Sequence, residues 1–152
     1  MIRRPPRSTL SSSSAASDVY KRQELIDFCP KVTFILDHCG VPNIKEGDFN
    51  DWKRSIDQLA QRDNLFCKIS GIIAYGDNKI WTLDDIKPYF EHVVNSFGFK
   101  RIFWGSDSPV CNLGGGLETW VAATYLMTQD WSHEEKKSFF FDNSIKIWNL
   151  KS

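Results

Sequence analysis

From Glu24 onward, short unbroken apolar runs alternate with longer stretches in which apolar residues return every three or four positions. Residues 24–29 (ELIDFC) read as the end of a helix, stopped by Pro30, which has no N–H to continue it. KVTFILDHCG then carries a continuous β-branched and aromatic run, Val32 to Leu36, ending in Asp37, His38 and Gly40. A run apolar on both faces predicts a buried parallel strand. Asp48 offers an N-cap, and Phe49, Trp52, Ile56, Leu59 and Ala60 fall on one face of a following helix.

The pattern repeats. Leu65 to Gly71 (LFCKISG) predicts a second strand. Thr82 caps a helix with an apolar face of Ile86, Phe90, Val93, Val94 and Phe97, closed by Gly98. Residues 101–106 (RIFWGS) predict a third strand, followed by Asp107 and Pro109, and Trp120, Ala123, Tyr125 and Leu126 suggest the next helix. Ser132 and Glu135 form an S-x-x-E capping box opening a last helix through Phe139 and Phe140, and NSIKIWNL is a short amphipathic closure. The strand ends near His38, Ser70 and Asp107 stand 32 and 37 residues apart. That period suits one β/α unit of a barrel of about 250 residues built from eight units. It also suits an open doubly wound sheet, so spacing leaves both α/β architectures standing. Three parallel strands cannot close a barrel and would leave two bare edges.

Composition adjusts this picture at one end. Residues 1–23 hold Arg3, Arg4, Arg7, Lys21 and Arg22 against one acid, Asp18, with two prolines and a serine run. Such a stretch reads as a disordered basic arm or a transit peptide, and it lacks the apolar core of a secretory signal. It resembles the conceptual translation of sequencing-adapter DNA, a likeness that stops at Gln23. It is therefore set aside from 24–152, the unit that reads as globular. The whole chain has zero formal net charge, which gives no sign of nucleic-acid binding. No apolar run approaches the roughly 20 residues of a membrane span. Cys29, Cys39, Cys67 and Cys111 are widely spaced, with no C-x-x-C pair, and suit free thiols in a reducing cytoplasm.

In parallel β/α folds, chemistry gathers at the carboxyl ends of strands. His38 and Asp107 lie at two such ends, and Ser70 and Gly71 at the third, offering a hydroxyl and a close backbone approach. A neutral imidazole binds a divalent ion and a carboxylate takes a proton from water, so the pair suits a hydrolase. Each has a plainer reading: a structural histidine bonded to nearby backbone, and a turn-capping aspartate in Ser-Asp-Ser-Pro. Asp37 would point to the opposite side of its strand from His38, as a helix-side or turn contact. His92 and His133 fall on helix positions away from strand ends. Gly114-Gly115-Gly116 lacks phosphate-loop spacing and suits a flexible βα loop. Phe139 to Phe141 suit core or subunit contact.

LDHCGVP, FCKISGI, RIFWGSDSPV and DNSIKIWNL resemble, in order and spacing, successive blocks of the amidohydrolase-related family of metal-dependent barrels. The likeness covers Lys31 to Leu150 and is nearest to lactone-hydrolysing members such as sugar lactonases and sulfomuconolactone hydrolase. It implies a partial (β/α)8 barrel, the three to four C-terminal β/α units, with strands six, seven and eight ending at His38, Ser70 and Asp107. It implies Asp107 as the general base that activates water, and His38 as a residue touching metal or substrate, assigned to the metal. Lys68 and Ser70 match a block assigned to the substrate, although Lys68 could equally face the helices. Ser108 stands where the family commonly has tryptophan; this alters the pocket wall and leaves substrate choice open. The implied cofactor is a divalent metal, zinc or manganese, and the implied partner is a small-molecule substrate. The family's first-strand His-x-His pair has no counterpart here, so the ligand set is incomplete. The expectation is the C-terminal half of a hydrolase that opens a sugar-derived or muconate-like lactone. The alternatives are a decarboxylase of the same superfamily and a truncated chain without activity.

Overall fold

The structure, a computed structural model, describes residues 23–47, 49–77 and 80–150. Residues 23–28 are helical (α1). Three β/α units follow: β1 (Phe34–Leu36) with α2 (Phe49–Ala60), β2 (Leu65–Ser70) with α3 (Leu83–Phe97), and β3 (Ile102–Gly105) with α4 (Gly116–Met127). Two short helices, α5 (His133–Lys137) and α6 (Asn143–Trp148), end the described chain. The strands are parallel, in the order β1-β2-β3, with Leu36 beside Cys67 and Ser70 beside Gly105. This is an α/β fold with a partial parallel sheet. Asp48, the proposed cap, and residues 1–22 of the leader lie outside the described residues. Gln23, grouped with the leader by sequence, is buried and donates from Nε2 to Gln58 Oε1 at 3.1 Å.

Strand alternation divides the sheet. Leu65, Cys67, Ile69 and Ile102 face the helices and form the core with Trp52, Ile56, Phe90, Val93, Trp120 and Phe139. Phe66, Lys68 and Ser70, with their register partners Phe103 and Gly105, take the other face. Lys68 is therefore not in the helix layer. It pairs with Asp37 at 2.7 Å, because the alternation of β1 carries on past Leu36 and sends Asp37 to the same face. Asp37 is thus neither helix-side nor a turn contact, as its sequence position had suggested.

Thr82 and Ser132 head the helices that the sequence assigns to them, each in a capping box, with Asp85 and Glu135 returning the bond. On α4 the buried stripe is Trp120, Ala123, Thr124 and Met127, while Tyr125 and Leu126 are 60% and 56% exposed. Thr124 can lie inside because its hydroxyl bonds the Trp120 carbonyl at 2.8 Å, which corrects the expected phase of that helix. The expected last helix is divided: α5 stops at Lys137, and Ser138–Asp142 form a π-helical turn before α6. That turn buries Phe139 and leaves Phe141 exposed. The four cysteines are free thiols. Among the described residues no helix is long and apolar enough to cross a membrane.

Candidate active site

Three strand-end turns build the site. After β1, His38, Cys39, Gly40 and Val41 are all left-handed (φ 53°, 53°, 72° and 56°), and the Val41 N–H closes the turn on the His38 carbonyl at 2.8 Å. After β2, Gly71 is left-handed at φ 58° and opens the turn Ile72–Tyr75. After β3, Asp107 is left-handed at φ 54°, and its carbonyl accepts from Cys111 N at 2.9 Å. Indole N–H groups tie down these rims. Trp52 donates to Cys39 O at 2.8 Å, Trp120 to Gly105 O at 2.9 Å and Trp81 to Gly114 O at 2.7 Å.

These turns converge on one histidine nitrogen. His38 Nδ1 lies 2.8 Å from Ser70 Oγ and 3.3 Å from Asp107 Oδ2. With the proton on Nδ1, the ring donates to one of these oxygens; with the proton on Nε2, Nδ1 accepts from the Ser70 hydroxyl. Ser70 is fully buried, and the Asp107 side chain is only 11% exposed. Asp107 Oδ2 is buried without a hydrogen-bond partner among the described residues: its distance to Nδ1 permits charge attraction, but the bond geometry is not met. A buried, unbonded carboxylate oxygen is costly in a resting fold and is suited to receiving a proton or a ligand.

Of the other residues singled out by sequence, Lys68 lies one alternation below Ser70 on the same sheet face, occupied by Asp37. Ser108 is exposed beside Asp107, its N–H on Ser106 Oγ at 3.3 Å. Gly114 presses on Ile73, whose carbonyl carbon would stand 2.6 Å from any β-carbon, so the triple-glycine loop is close-packed at its first residue. His92 joins α3 to α2 through Asp57 at 2.9 Å and packs its ring on Trp52, behind the site; His133 opens α5.

Tyr75 was missed by sequence. Its ring centroid lies 6.4 Å from that of His38, and burial, followed by the charges of Asp107 and Asp37, raises its phenol above the ordinary value. No local signal marks it, since IIAYG reads only as a loop. Burial, and then Cys39, likewise hold the Cys67 thiol well above its usual range, so it stays protonated behind the site.

His38 and Asp107 bring two donors together. Among the described residues no group of three or more His, Cys, Asp or Glu side chains could hold a metal ion. A tight divalent site takes three or four protein ligands, so the residues present do not complete one.

The parallel sheet matches about half the length of amidohydrolase barrels of known structure, so the fold is a partial (β/α)8 barrel, with an imidazole and a carboxylate converging at its carboxyl edge. The amidohydrolase family model matches residues 10–150, a range that starts inside the segment set aside as leader, and the chain belongs to that family. It is 32% identical over 127 residues to the y4mH protein of Sinorhizobium fredii, covering 84% of this chain and 42% of that one. It is 33% identical over 93 residues to an L-fucono-1,5-lactonase of Burkholderia ambifaria, covering 57% of this chain and 29% of that one. A zinc-bound amidohydrolase structure from Burkholderia multivorans superposes with a TM-score of 0.83 at 22% identity, over 89% of this chain and 50% of that one. The chain thus spans less than half the length of these two sequence relatives.

Proposed function

We propose that the protein to which this chain contributes is a hydrolase that opens a small sugar-derived or muconate-like lactone, with Asp107 as the base. The reading is carried by one observation: Asp107 Oδ2, buried and without a hydrogen bond among the described residues, faces His38 at 3.3 Å across two strand ends. Likeness to a lactonase supports the substrate class. In the reaction, Asp107 takes a proton from water as the water oxygen bonds to the lactone carbonyl carbon. The tetrahedral intermediate collapses by breaking the ring C–O bond, and the departing ring oxygen recovers the proton from the Asp107 carboxyl, giving the hydroxy acid. Ser70 holds Nδ1 of the imidazole beside this carboxylate, and Tyr75, kept protonated, is a donor for the developing oxyanion. Lys68, Ser70 and Ser108 are proposed as substrate contacts. In the complete enzyme we assign His38 and Asp107 as two donors to a divalent metal, zinc or manganese, whose ligand set the described residues leave short.

The same shortage favours a second reading, that this chain alone is inactive. A pH-stat assay with five- and six-membered sugar lactones, run beside aromatic carboxylic acids, tests both. Ring opening that falls about 10²–10⁴-fold in Asp107→Asn is expected. Ring opening unchanged by that substitution removes the base, carbon dioxide release from the acids indicates a decarboxylase, and a folded chain inert to all of them supports the second reading.

A further inference from the structure

Residues 38–41 form a full left-handed turn in which only Gly40 is glycine. A left-handed residue carrying a β-carbon costs about 1–2 kcal/mol, and a β-branched one such as Val41 is a clear outlier. The single Val41-to-His38 bond inside the turn does not hold three such residues, so the surroundings must. They do so from α2. The Trp52 indole N–H donates to the Cys39 carbonyl at 2.8 Å, one residue from His38, and Ile56 Cδ1 lies 3.3 Å from where a Gly40 β-carbon would be. Trp52 is itself held. It is 8% exposed, with Tyr89 at 4.9 Å, Phe49 at 5.8 Å and His92 at 5.6 Å between ring centroids. His92 bonds Asp57 of α2 at 2.9 Å and so locks α2 to α3 behind the indole.

We propose that Trp52 is the positioning residue for His38: its indole N–H holds the left-handed turn that aims Nδ1 at Ser70 and Asp107. The link to catalysis rests on the function proposed above, whereas the orientation of His38 does not. Without the N–H, the Cys39 carbonyl is left buried and unpaired, the turn relaxes toward right-handed or extended backbone, and the imidazole leaves the 2.8 Å and 3.3 Å contacts.

The test uses the whole chain and no substrate. Ring ¹⁵N NMR shifts of His38 are compared between wild type, Trp52→Phe and Trp52→benzothienylalanine, which keeps the ring shape and loses only the donor. Trp131→Phe, in the aromatic core with Phe90, Phe99 and Phe139, controls for loosening alone. Both Trp52 variants should move the His38 ring shifts toward those of free imidazole, while Trp131→Phe lowers Tm and leaves them in place. In wild type the Trp52 indole hydrogen should exchange at least about 10²-fold more slowly than in an unfolded chain. Unmoved His38 shifts in the benzothienylalanine variant, or fast indole exchange in wild type, overturn the proposal. Inertness toward lactones would instead strike only the function, leaving this result intact.

Discussion

Gly71 and Asp107 touch across adjacent strand ends: a β-carbon on Gly71 would overlap the Asp107 carboxylate and lie 2.6 Å from its Cβ and Cγ. Gly71 is also left-handed at φ 58°. Steric room and backbone freedom are therefore both needed at this position. Gly71→Ala should cost about 1–3 kcal/mol in urea unfolding and displace the carboxylate from His38. A variant of full stability with the 3.3 Å contact retained in a crystal structure would refute this account.

Tyr75 offers a spectroscopic handle. Burial and the neighbouring carboxylates raise its phenol, so the contribution to stability is whole below the ordinary phenol value and is lost as pH rises through the raised one. Absorbance titration of tyrosinate should show a late step that disappears in Tyr75→Phe. A titration unchanged by that substitution would place Tyr75 in ordinary solvent.

At the opposite end of the sheet, Asn143 Nδ2 donates to both Phe99 O and Ile102 O at 2.7 Å, anchoring α6 to the start of β3. Asn143→Ala strands two carbonyls and should lower stability by about 1–3 kcal/mol, seen as a lower urea midpoint with an unchanged m-value.

Asp85 supplies an acid-side prediction. Bonds from the Thr82 backbone and hydroxyl lower its carboxyl below the ordinary range. Its contribution is present above the ordinary carboxylate value and fades as pH falls through the lowered one. Asp85→Asn should therefore destabilise the protein near neutrality and have no effect in strong acid, with urea midpoints at the two pH values as the check.

Periodicity located all three strands to within two residues, because parallel strands covered by helices show up as unbroken apolar runs, and the Ser132–Glu135 capping box was visible as paired residues three positions apart, whereas at the helix of Thr82 only the cap itself was. The phase of α4 was not. Thr124 counts as polar in a pattern, yet its hydroxyl is satisfied within its own helix, which moves the buried stripe off Tyr125 and Leu126. Strand ends also pointed to His38, Ser70 and Asp107 as neighbours, which is how the structure arranges them. Hidden from sequence were the left-handed run at 38–41, signalled only by Gly40, the inward turn of Asp37 to Lys68, and Tyr75. The first two depend on where a later segment comes to rest: α2 for the 38–41 run, as its Trp52 bond to Cys39 shows, and β2 for Asp37, as the Lys68–Asp37 pair illustrates.

The indole tethers have a consequence for remodelling. Trp52 and Trp120 each fasten a rim to the helix that follows it, and Trp81 reaches from the second rim to the third. A grafted loop that leaves its tryptophan behind would arrive without its fastening. Transplants that keep loop and indole together should retain their shape, so the exchangeable module in this scaffold is the loop plus the first turns of its helix.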